Sequence, residues 1–134
     1  MTGSLYCLVG FTAWAIVLVT AIACARIALV LTGRKRANEF PGGIQHGGDA
    51  YWRLNRAHLN TLENLPIFAA LVLSARFAHV DVTLPAQIVL GARVVQSLIH
   101  LSSGRSLAIN LRFTAFLTQC TCHGVMIVKL LRSG

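Results

Sequence analysis

The chain has 134 residues, 55% hydrophobic and only 12% charged, and its apolar side chains fall in long blocks instead of alternating with polar ones. That pattern excludes an ordinary soluble domain and predicts a single-domain, all-α integral membrane protein. A formal net charge of +8 would suggest nucleic acid in a soluble protein; here basic flanks facing anionic headgroups account for it, and no nucleic-acid partner is expected.

The first apolar block, residues 5–25, holds no charged side chain. At about 20 residues it is long enough to cross a hydrocarbon core of about 30 Å, and the helix is expected over 5–32. A cleaved signal peptide would carry a basic n-region and a shorter apolar core of about 7 to 15 residues, neither of which is present. A polar loop, 33–53, follows, with Pro41, Gly42, Gly43, Gly47 and Gly48 marking turns. Three further spanning helices are expected at 54–79, 83–102 and 107–131, joined by short connections. The architecture is then four transmembrane helices in an antiparallel, left-handed bundle, and only the first connection has room for extramembrane structure.

With four spans, the first and third connections share one side of the membrane. Arg34, Lys35, Arg36, Arg53, Arg56, Arg105 and Arg112 lie there, against Arg76, Lys129 and Arg132 on the other. Charge bias therefore predicts both basic connections in the cytoplasm and the termini outside. The Arg34-Lys35-Arg36 cluster serves this topology signal, and with Asn38 nearby it could equally offer cations to an anionic ligand.

Arg53, Arg56, Asn60, Glu63 and Asn64 are spaced three, four, three and one apart, which at about 100° per residue gathers them on one helical face at the membrane edge. Ionisable groups there cost several kcal/mol unless paired or hydrated. Arg53, Arg56 or Arg93 can neutralise Glu63, and a pair of that kind can serve register alone. Arg93, Gln96 and His100 form a similar face on the third span, and Asn110 and Arg112 open the fourth. For Arg112 alone a snorkelling anchor is the simpler reading. Polar groups on three spans at one membrane level instead predict a shared hydrated cavity.

Four cysteines, Cys7, Cys24, Cys120 and Cys122, fall within spans and suit small apolar packing. Cys120 and Cys122 point about 160° apart on a helix, so no metal site is expected.

The segment from Arg53 through Arg56, Asn60, Glu63 and Asn64 to Pro66 and Phe68 closely resembles the second-helix signature of the MAPEG superfamily, the membrane-associated proteins of eicosanoid and glutathione metabolism. The loop from Asn38 to Gly43, the Arg93–Gln96 segment and the Asn110-Leu-Arg112-Phe start of the fourth span resemble bacterial members. The resemblance implies a homotrimer with glutathione, as co-substrate, bound at the cytoplasmic side between subunits of a protein of the bacterial inner membrane. It implies that Arg56, Asn60 and Glu63 hold the peptide, with Arg34 and His100 completing the cradle. Arg53, Arg93 and Gln96 supply the rest of the polar cavity. Arg112 matches the arginine beside the sulfur, where a guanidinium favours the thiolate over a free thiol with a pKa of about 8.5.

Leu59, Gln96, His100, Phe113 and Phe116 depart from residues that other members use, and they point away from specific eicosanoid synthesis. The expected function is a glutathione-dependent transferase or peroxidase acting on membrane-dissolved electrophiles or lipid hydroperoxides. A non-catalytic protein binding a lipid or thiol ligand is the alternative. A proton-coupled exporter is a third class, disfavoured because arginines surround Glu63 and the polar groups lie at an interface instead of the midplane.

Overall fold

The computed structural model describes residues 2–102 and 106–133; Arg105, counted above among the basic residues of the third connection, lies outside them. The described residues form four helices and no strand: α1 (Gly3–Leu31), α2 (Asp49–Phe77), α3 (Thr83–Ser102) and α4 (Ser106–Leu131). By length and composition α1, α3 and α4 can each cross a membrane. α2 is as long as α1, 29 residues, but its first half carries Asp49, Arg53, Arg56 and Glu63. Its apolar part begins only around Leu65.

The start of α2 departs most from expectation. The helix opens at Asp49 instead of position 54, so the loop is 32–48 and Arg53 stands on the helix. Asp49 in the first turn suits the positive end of the helix dipole, and Tyr51 is buried, its hydroxyl accepting a bond from Arg26 Nε at 2.8 Å. Packing outside the hydrocarbon thus extends a helix that hydrophobicity alone would have started later.

α2 and α3 form the central pair: each touches the other and both outer helices, whereas α1 and α4 do not meet among the described residues. The core gathers Cys7 and Phe11 of α1, Phe68, Val72 and Ala75 of α2, Ala86 and Val89 of α3, and Cys122 and Met126 of α4. Early residues of α1 and α3 therefore meet late residues of α2 and α4, an up-down, antiparallel arrangement. Gly10 permits close approach of α1 to α3, since a Cβ there would stand 3.1 Å from Leu90. Hydroxyls along the spans are satisfied within their own helices, Thr61 on Ala57, Ser97 on Arg93, Thr114 on Asn110 and Thr118 on Thr114. Lipid supplies no alternative partner.

The core fills the end of the bundle away from loop 32–48. The other end, where α2 and α3 carry their polar faces, is left for the site.

Two helices end in the same way with different residues. At α1, Gly33 has φ 68° and the N–H of Arg34 reaches Leu29 O at 3.0 Å; at α2, His79 has φ 57° and the N–H of Val80 reaches Ala75 O at 2.9 Å. Both are left-handed C-caps, which glycine adopts without a Cβ penalty. His79→Gly should stabilise the fold by about 1 kcal/mol and Gly33→Ala should destabilise it by a similar amount, read from denaturation midpoints in detergent.

At the start of α3, Asp81 accepts the N–H of Thr83 at 2.9 Å, and the Thr83 hydroxyl and N–H together hold its carboxyl below the usual range. This contribution is complete above the unfolded carboxyl value and is lost as pH falls through the lower folded one. Amide exchange at Thr83, normalised for its intrinsic acid dependence, should quicken in acid, and Asp81→Ala should reproduce that opening at neutral pH.

Candidate functional site

Gln96 is the joint on which the site is built. It is 8% exposed, on the inner face of α3. Its amide donates to the Arg112 carbonyl at 3.0 Å and its oxygen accepts from Gln119 Nε2 at 3.0 Å; Gln119 also donates to Ala115 O within α4. Two contacts seven residues apart on α4 thereby fix the register of α4 on α3. Arg112 is held opposite the third-helix polar face.

Above this joint lies an open cleft of about 270 Å³, lined by Asn60, Glu63 and Asn64 of α2, Arg93, Gln96 and His100 of α3, and Arg112, Phe113 and Phe116 of α4. Seven of the polar residues picked from sequence therefore meet: Asn60, Glu63, Asn64, Arg93, Gln96, His100 and Arg112. Arg53 and Arg56 do not line it. Arg53 Nε donates to Leu101 O at 3.3 Å, tying α2 to the end of α3, and Arg56 is exposed one turn before Asn60. Arg34 is exposed in loop 32–48, away from the cleft in the single protomer.

Arg93 is 1% exposed, its guanidinium 5.7 Å above the Phe11 ring. Its Nε and Nη2 have no hydrogen-bond partner, so a pairing with Glu63, for which Arg93 is one of three candidates by sequence, is not made through these atoms. Glu63 is instead exposed at the cleft. A buried cation whose donors lack partners is costly, since an unsatisfied ion in low dielectric costs several kcal/mol. With two guanidinium groups, one carboxylate and three carboxamides, the lining suits a ligand carrying charges of both signs and peptide groups.

Gln119, fully buried, escaped the sequence reading, as did the neighbourhood of His123, whose ring lies 6.2 Å from Phe68. The signal for Gln119 was its spacing of seven from Arg112, which puts both on the inner face of α4. Among the described residues no group of three or more metal-ligating side chains occurs.

No curated protein matches the chain. A family model described as MAPEG family matches residues 4–132, from the second residue of α1 to just beyond the end of α4. With its spanning helices and this match over essentially its whole length, the chain belongs to the MAPEG family of helical integral membrane proteins.

Proposed function

We propose that the cleft binds glutathione and that the protein is a glutathione-dependent transferase or peroxidase for electrophiles dissolved in the membrane. The family includes such enzymes, generally uses glutathione, and also contains non-catalytic members. The observation that carries the reading is the convergence of Asn60, Glu63, Arg93, Gln96, His100 and Arg112 on one cleft. The guanidinium groups match a peptide carboxylate or carbonyl, Glu63 matches an ammonium, and the amides match the peptide backbone.

At about 270 Å³ the cleft is slightly below the ordinary range of small-ligand sites, about 300–1,000 Å³. A neighbouring subunit would complete it. In the proposed homotrimer that neighbour brings Arg34 from its loop, and Arg53 and Arg56 add positive potential at the mouth. The cleft would face the cytoplasm, where the peptide is supplied, and open sideways to lipid, where Phe113 and Phe116 admit an apolar electrophile.

In this reading Arg112 stabilises the thiolate, and the cleft holds it against its target. At a carbon electrophile a sulfur–carbon bond forms and the leaving group departs with its electron pair. With a lipid hydroperoxide, sulfur takes the distal oxygen, the O–O bond breaks and the lipid alkoxide is protonated. A second glutathione then reduces the sulfenic product to disulfide and water.

Arg112→Ala should lower kcat/KM with a model electrophile about 100-fold and abolish the ultraviolet thiolate signal that appears on glutathione binding. Asn60→Ala and Glu63→Gln should weaken glutathione binding about tenfold, measured by calorimetry, because each removes a charge-assisted contact. Binding without thiol consumption, unchanged by Arg112→Ala, would assign the protein to the non-catalytic members instead.

A further inference from the structure

Gln119 lines no part of the cleft, yet it is fully buried on the inner face of α4. A carboxamide is costly to bury unless its donors are matched, and here both hydrogens of its nitrogen are: Nε2 donates to Ala115 O and to Gln96 Oε1, each at 3.0 Å. Gln96 Nε2 in turn donates to Arg112 O, also at 3.0 Å. The three bonds form one directed chain that starts and finishes on main-chain carbonyls of α4, at Ala115 and Arg112.

A carbonyl oxygen only accepts, so with one at each end neither amide can turn over. A reversed Gln96 would set its oxygen against Arg112 O and its amino group against that of Gln119, losing two bonds at once. Lipid offers no substitute partner at this depth. Gln119 therefore decides which way the Gln96 amide points, and through it whether the main chain at Arg112 is tied to α3. An apolar side chain of similar size, such as methionine, would fill the space and leave the Gln96 amide free to turn.

We infer that Gln119 is a positioning residue for the thiolate chemistry proposed for the cleft, setting the Gln96 amide and, through it, the distance of the Arg112 guanidinium from the bound sulfur. This role rests on the glutathione reading of the site. Charge stabilisation weakens with separation, so a guanidinium that drifts outward favours the thiolate less. The effect falls on ionisation of the thiol, while binding of the peptide through Asn60 and Glu63 of α2 is largely kept.

Gln119→Met keeps the side-chain volume and removes both donors. In the purified full-length protein at saturating glutathione it should raise the pH midpoint of the ultraviolet thiolate signal by about one unit and, below that midpoint, lower kcat with a model electrophile about tenfold, leaving KM for glutathione within about twofold. Gln119→Leu should act in the same way. In the Gln96→Met background the same change at Gln119 should add nothing, because its effect passes through Gln96; a packing defect would add its cost in both backgrounds. Gln87→Met, at an exposed position on α3, is the control and should leave the signal unchanged. Nitrogen-15 labelling of glutamine gives a readout without glutathione: side-chain amide exchange at Gln96 should quicken about tenfold in Gln119→Met. Far-ultraviolet circular dichroism confirms that each variant is folded. A wild-type protein with no thiolate signal would overturn the glutathione reading and the role of Gln119 with it. A wild-type signal that Gln119→Met leaves unchanged or shifts equally with Gln96→Met already in place, or unaltered exchange at Gln96, would overturn the role of Gln119 alone.

Discussion

The pairing of Gln96 with Arg112 and Gln119 fixes the rest of the site, because it sets how far α4 slides along α3. Apolar helix surfaces in lipid slide past one another at little cost, since lipid tails are as apolar as leucine. A buried amide with one donor partner and one acceptor partner removes that freedom. Arg112 is then fixed beside His100 and Gln96 by a backbone bond, independent of its own long side chain. Individual bonds of this kind are worth only about 1 kcal/mol in membranes. Their value here is positional.

The two ends of the bundle divide the work. The end built from Phe11, Phe68, Val72, Val89 and Met126 is packed and apolar, and it holds the helices together. The opposite end keeps Arg93, Gln96 and Gln119 inside and Asn60, Glu63 and Arg112 around an opening, so polar groups are concentrated where α2 carries its charges. α2 belongs to both halves: its later residues join the core, and its earlier ones line the cleft and anchor loop 32–48 through Tyr51. That double duty explains why it is the one helix whose composition does not by itself mark a span.

Much of this was legible in the sequence, because charge is scarce in a membrane chain and stands out. Asn60, Glu63, Arg93, Gln96, His100 and Arg112 could be grouped by helical spacing and membrane level, and they do meet. Arg53, Arg56 and Arg34 were expected at the same site and do not line the cleft, since long flexible side chains at a helix end or in a loop are positioned by partners that spacing does not encode. The start of α2 at Asp49 was misjudged because hydrophobic length marks the part of a helix inside lipid and says nothing of turns stabilised outside it. Gln119 was passed over as one amide in an apolar run; its importance comes from the facing amide on α3.

The cleft between α2, α3 and α4 is proposed as a glutathione site shared between subunits. An electron cryomicroscopy structure of the purified protein with saturating glutathione tests it most directly. The expected result is a trimer with peptide density in contact with Asn60, Glu63 and Arg93 and the sulfur beside Arg112. An empty cleft at saturating glutathione, or peptide density elsewhere on the bundle, would contradict it.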